Sequence, residues 1–174
     1  VIDPIDGSLN ARRTIPSHSL SVAVATGPSM ADVSFGYVYD FGAAEELVAR
    51  RGEGATLDGK PIEVAGEDGE KLEILGIEAA EPGRALPVLE ALAGSVYRLR
   101  VVGSIAITAS YVAAGRFDAM LSLRPCRSVD AAAAQLIVRE AGGAVAFGDL
   151  HLDEASLGLD ARYPIAAARG EGAL

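Results

Sequence analysis

From residue 19 to residue 65 apolar and polar side chains alternate with a period close to two, in segments cut by turn residues. A helix cannot hold such a pattern on one face, so this half of the chain reads as an antiparallel sheet meander. Its segments are SLSVAVAT, a turn through Gly27, Pro28 and Ser29, then ADVSFGYVYD, AEELVARR and ATLDGKPIEV, with Asp58-Gly59 as a hairpin signal. In VSFGYVYD one face carries Val33, Phe35, Tyr37 and Tyr39 and the other Ser34, Gly36, Val38 and Asp40. That split predicts a sheet covered more on one side than on the other.

The stretch GEDGEK (66–71) is a polar, glycine-bearing joint, and beyond it the pattern becomes alternating short strands and helices. We expect strands at KLEILGI, YRLRVV, FDAMLSL, AVAF and YPIAAA and helices at RALPVLEALAG, SIAITASYVAAG and SVDAAAAQLIVREAGG. The chain thus divides into a sheet lobe, residues 1–66, and an α/β lobe, residues 67–174. Ser104 and Gly115 are suited to cap one of those helices, with Ile107, Tyr111 and Ala114 along its stripe. Ser128 or Asp130 starts another that Gly142-Gly143 ends, with Ala133, Leu136, Ile137 and Glu140 along its stripe.

With half of its 174 residues hydrophobic, the chain can bury a real core. A formal net charge of −9 argues against a nucleic-acid or anionic-membrane partner, both of which reward a basic surface. Bound cations would supply the positive charge that a small anionic substrate needs. The single cysteine, Cys126, allows no intramolecular disulfide, and neither a leader nor an apolar run of about 18 residues is present, so a reducing cytoplasm is expected. The two histidines, His18 and His151, lack zinc-ligand spacing and read as surface or loop residues. Residue 1 already lies inside a strand and is not methionine, so truncation at the N-terminus is expected.

The opening VIDPIDGSLN carries Asp3 and Asp6 at the end of a short apolar strand. Asp-Pro and Asp-Gly make ordinary turns; two hard oxygen ligands before a Gly-Ser turn also make a metal and anion site. Asp130 is the candidate third carboxylate, although capping a helix would also explain an acid there. Small residues, Ala131 to Ala134, follow it and let another backbone or a ligand come close.

Two of these stretches carry a family resemblance. VIDPIDGSLN resembles the first signature of the inositol monophosphatase family, and SVDAAAAQLIVREAGG resembles its second. GYVYD, ARRGEGATLDGKPIEV and VVGSIAITASYVAAGRFDAM resemble the connecting elements, so the likeness covers essentially the whole chain. It implies a layered α-β-α-β-α sandwich, here without its N-terminal helices, and a magnesium-dependent, lithium-sensitive phosphatase. It also implies about two or three Mg²⁺ ions, two of them roughly 4 Å apart. Asp3, Asp6 and Asp130 correspond to carboxylate ligands and Ile5 to a backbone-carbonyl ligand. Gly7 and Ser8 correspond to the phosphate-binding turn, with the Ser8 hydroxyl helping to orient the attacking water. Gly103, Ser104 and Ile105 correspond to a helix N-terminus lining the substrate pocket, where Asp130 also contacts substrate.

The substrate implied is a small phosphorylated polyol or sugar, inositol monophosphate or fructose 1,6-bisphosphate, and the assembly a homodimer. An upstream Glu-Glu motif common in the family precedes the point where this chain begins, so the chain alone is expected to be incomplete for catalysis, with sheet faces left apolar and uncovered. Ser128-Val129 stands for the usual Trp before the acid, and Ala134 for a usual glycine. Leu123 stands where inositol-preferring members carry an acid, while Arg98, Arg100, Arg124 and Arg127 could meet a second phosphate. Two further readings are a non-catalytic phosphate-binding protein of the same fold and a nucleotide 3′-phosphatase, the latter disfavoured by an aromatic content of 5%.

Overall fold

The computed structural model describes residues 1–64, 71–79 and 81–173. Among these residues the elements run β1 (Ile2–Asp6), α1 (Ser8–Arg12), β2 (Ser19–Ala25), β3 (Val33–Asp40), β4 (Glu45–Arg50), β5 (Gly54–Leu57) and β6 (Lys60–Ile62). They continue with β7 (Leu72–Glu78), α2 (Pro82–Ala91), β8 (Val96–Arg100), α3 (Ile105–Ala113), β9 (Ala119–Ser122), β10 (Cys126–Arg127), α4 (Ser128–Glu140), β11 (Ala144–Ala146), β12 (Arg162–Tyr163) and β13 (Ala166–Ala168). Short 3-10 turns occur at Met30–Asp32 and Glu171–Ala173. No described helix is long and apolar enough to cross a membrane.

The first six strands pair in chain order, all antiparallel, as the period-two pattern requires. Asp58 (φ 49°) and Gly59 (φ 74°) close the β5–β6 hairpin with two positive φ values, the turn whose twist matches its flanking strands. A second sheet has the order β11-β13-β9-β7-β8; β8, β7 and β9 are parallel, joined through α2 and α3, while β13 is antiparallel to β9 and β11 antiparallel to β13. β10 and β12 form a separate two-stranded ribbon.

Helices α3 and α4 pack on each other between the two larger sheets. Both are buried nearly all round, Ser128 to Val138 without a break, so the expected one-sided stripes are only parts of fully enclosed surfaces. Alanines make this possible, because small side chains let a sheet approach on each side. In β3 the covered face carries Gly36, Val38 and Asp40, while Phe35, Tyr37 and Tyr39 are half-buried on the outer face. The reason is close approach: a Cβ on Gly36 would stand 2.7 Å from the carbonyl oxygen of Ala133 in α4. Ile2 and Val24, on the same outer face, are 61% and 53% exposed.

One apolar core joins Val38 and Leu47 of the first sheet to Ile105, Met120, Leu136 and Phe147. A smaller cluster of Leu75, Ile77, Ala119 and Ala168 lies on the far side of the second sheet, with Leu92 after α2 against it. The joint expected at 66–71 falls almost wholly outside the described residues. Three elements had no clear sequence signal: α1, the 3-10 turn at Met30–Asp32, and the β10–β12 ribbon.

Candidate active site

Asp3 and Asp6 are three residues apart and in a regular strand would point to opposite faces. Here Asp3 pairs with Ser21 and Asp6 with Ser19, so β1 spends one more residue than β2 over the same span. That bulge turns both carboxylates inward. Pro4 suits it because proline has no N–H to leave unpaired, and the Ile5 N–H donates to Asp3 Oδ1 at 3.1 Å. The side chain of Ile5 is exposed, and the residue lies on the cleft wall.

Asp130 arrives from the first turn of α4, where Oδ2 accepts the Arg127 N–H at 3.1 Å. Carboxylate oxygens of Asp3, Asp6 and Asp130 all lie within 4.8 Å of one another, and all three residues are buried. Asp6 accepts a 2.6 Å bond from the Ser104 hydroxyl and a 2.8 Å bond from the Ala106 N–H. Burial nevertheless pushes its carboxyl up to about 7; the two hydrogen bonds oppose the rise, and the charges of Asp130 and Asp3 add to it. Burial also raises Asp130, against the pull of Arg127. The Arg127 guanidinium bridges the other two acids, 2.6 Å from Asp3 Oδ2 and 2.7 Å from Asp130 Oδ1.

Above the acids lies a cleft of about 600 Å³. Gly7 and Ser8 form one lip, Gly103 and Ile105 a second, and Arg124, Arg127 and Arg162 a third. Gly7 adopts φ 80° and passes so close to the next segment that a Cβ would stand 2.8 Å from the Ser17 carbonyl oxygen. It leads into α1, whose first-turn N–H groups have no partner within the helix and can face an anion. Asn10 ties this turn to the wall opposite, donating to the carbonyls of Ser17 (2.7 Å) and Val102 (2.8 Å).

The expected residues thus meet, with one difference of role. Ser104 is 1% exposed and sits behind Asp6; it caps α3 by accepting from the Ile107 N–H at 3.2 Å. Its neighbour Gly103 is on the cleft wall, yet the Gly103 N–H is taken by Glu78 at 3.0 Å. Glu78 was not anticipated. It ends β7 on the cleft wall, 2% exposed, raised by burial, and also accepts from the Val102 N–H, with Thr108 Oγ1 at 2.6 Å from it. An acid at the carboxyl end of a parallel strand is the signal that could have found it.

Arg98 and Arg100 lie on edge strand β8 and donate to the carbonyls of their own neighbours, Tyr97 and Leu99, away from the cleft. Leu123 packs into the smaller apolar cluster. Glu45 and Glu46 engage Arg116 and Tyr37. Cys126 lines the cleft, but burial pushes its thiol up to about 12, so it stays protonated and inert. His18 stacks on Phe41 at the surface.

Three buried carboxylates with convergent oxygens make a hard-donor set that fits Mg²⁺ or Mn²⁺ and gives zinc no nitrogen or sulfur ligand.

A model described as the inositol monophosphatase family matches residues 1–171. The fructose-1,6-bisphosphatase/inositol-1-monophosphatase of Methanothermobacter thermautotrophicus is 37% identical over 152 residues, covering 83% of this chain and 54% of that protein. Its counterpart in Archaeoglobus fulgidus is 37% identical over 160 residues, covering 90% and 57%. The chain therefore spans about half the length of these curated relatives. Among solved structures, Mycobacterium tuberculosis SuhB matches with a TM-score of 0.82 at 28% identity, over 99% of this chain and 66% of that one. Thermotoga maritima IMPase matches at 0.80 and 32%, over 97% and 62%. The layered α/β architecture is the one these proteins share, and the chain belongs to the inositol monophosphatase family.

Proposed function

We propose that the protein is a Mg²⁺-dependent phosphatase that hydrolyses a phosphate monoester of a polyol or sugar. The observation that carries this reading is the convergence of Asp3, Asp6 and Asp130 within 4.8 Å beneath a cleft lined by the Gly7-Ser8 turn and three arginines. The names of the two curated relatives described above point to the same chemistry.

Asp3, Asp6, Asp130 and the Ile5 carbonyl would hold the cations. When bound, they supply neutralising charge for the transferring phosphoryl group and acidify the attacking water. The protein's own groups do the positioning. N–H groups of the Gly7-Ser8 turn donate to phosphate oxygens, and the Ser8 hydroxyl orients the water. Ser104 and Ala106 fix Asp6, and Gly103 and Ile105 shape the wall against which the alcohol moiety rests.

Fructose 1,6-bisphosphate is favoured over inositol monophosphate within this reading. Leu123 is packed away from the cleft and offers no acid to polyol hydroxyls, whereas Arg124 and Arg162 stand on the rim with planar donors suited to a second phosphate. A cytoplasmic homodimer is part of the proposal.

The test is phosphate release from both esters with and without Mg²⁺, in this chain and in a form carrying any coding sequence that precedes Val1, with Asp130→Asn as control. Mg²⁺-dependent release that the control lacks supports the reading. Metal binding without release from any ester by either form overturns it in favour of a phosphate-binding protein.

A further inference from the structure

The guanidinium of Arg127 stands where a cation would stand. Its Nη2 donates to Asp3 Oδ2 at 2.6 Å and to Asp130 Oδ1 at 2.7 Å, and its Nε reaches Asp130 Oδ2 at 3.4 Å. Among the described residues, every ion pair to the three acids comes from this one side chain. The acids are buried, but the arginine side chain is 47% exposed, so solvent borders it on the side away from them.

A carboxylate oxygen that accepts from a guanidinium at this distance has one lone pair fewer to offer a divalent ion, and the two cations repel each other. Arg127 and metal therefore compete for Asp3 and Asp130. The place to which the arginine can withdraw is set by the β10–β12 ribbon, in which Arg127 is the direct cross-strand partner of Arg162. Both line the cleft, with Arg124 beside them. Like charges opposite one another in a ribbon repel, and an anion between them removes the penalty.

Resting on the metal-dependent phosphatase reading, we propose that Arg127 is a two-position residue. Without metal it neutralises Asp3 and Asp130; when metal enters, it swings beside Arg162 and the two grip an anionic group of the substrate. Metal and substrate anion then assist each other's binding, because each favours the same arginine position.

The test is calorimetric titration with Mg²⁺ and Mn²⁺ in anion-free buffer, comparing the protein with Arg127→Gln and Arg127→Lys. If Arg127 competes with metal, Arg127→Gln binds it roughly three- to tenfold more tightly, the range that the net worth of a hydrogen bond to a half-exposed side chain supports. Arg127→Lys, which cannot fork between both acids, gains less. If Arg127 instead only holds the acids in place, both variants bind metal equally or more weakly, and the proposal fails. The Arg127 Nε–H signal in NMR gives a second readout in the unaltered protein. It should shift on metal addition and shift again with inorganic phosphate, the second change being lost in Arg162→Gln. A signal unmoved by saturating metal overturns the proposal. Absence of metal binding by the unaltered protein overturns the phosphatase reading as well, and so separates the two failures.

Discussion

The Ser104 hydroxyl donates a 2.6 Å hydrogen bond to Asp6 Oδ2, joining the first turn of α3 to the last residue of β1. The same oxygen of Ser104 accepts from the Ile107 N–H, so one small side chain caps a helix and fixes a candidate metal ligand. Ser104→Ala removes both bonds and leaves Asp6 only the Ala106 N–H. The expected loss is about 2 kcal/mol of stability, together with weaker Mg²⁺ binding. Denaturant unfolding in chelator and Mg²⁺ titration check the two effects separately.

Asp6 is the acid of the cluster without an arginine partner among the described residues, and its carboxyl is raised to about 7. Between its ordinary value of 3.8 and about 7 the folded metal-free protein holds a proton there that the unfolded chain has lost. Its contribution to stability therefore falls as pH rises through that window and levels off above it. Mg²⁺ needs the ionised form, so the rise in melting temperature that Mg²⁺ produces grows with pH through about 7. Asp6→Asn flattens both trends and raises the metal-free melting temperature at pH 8 by about 3 °C. Thermal melts from pH 5 to 9 with chelator or Mg²⁺ decide this.

Glu78 holds the turn before α3 through the N–H groups of Val102 and Gly103. Glu78→Gln keeps the shape but replaces one accepting oxygen with a donor, which faces an N–H it cannot bond. The wall at Gly103 and Ile105 should loosen, raising KM for the ester while Mg²⁺ affinity stays unchanged. An equal loss of Mg²⁺ affinity would show that Glu78 acts on the whole site rather than on that wall.

Gly36→Ala tests the coupling between the first sheet and the candidate metal ligands. The new methyl would stand 2.7 Å from the backbone oxygen of Ala133, three residues after Asp130, and backbone cannot turn aside as a side-chain end can. Overpacking of this kind costs about 1–3 kcal/mol. We expect a lower melting temperature and weaker Mg²⁺ binding, although Gly36 touches no ligand oxygen. Gly83→Ala, with open space at its Cβ and no positive φ, is the control for backbone effects.

How much of this could be read from sequence differs from element to element. The meander was legible because each strand repeats its own period and Asp58-Gly59 names its turn. The carboxylates of DPID were legible as candidate ligands, but not the reason they face one way: a bulge exists only relative to a partner strand, and register is not written in either strand alone. The covered face of β3 was hidden for a similar reason. Hydrophobicity favours the face with Phe35 and two tyrosines, whereas space beside α4 admits only Gly36, Val38 and Asp40. Arg127, Glu78 and Arg162 take their positions from long-range pairings, Arg127 with Asp3 across 124 positions of chain. A local pattern cannot carry such a partner.

Helix α4 is buried from Ser128 to Val138, and Asp130 lies within that stretch, with only the cleft above it. Enclosure by both sheets leaves this backbone no partial opening to use, so its amide hydrogens should exchange with solvent only when the whole molecule unfolds. Loss of the third carboxylate from the cluster is then an all-or-none event, and any metal the three acids hold would be a direct gauge of how many molecules are still folded.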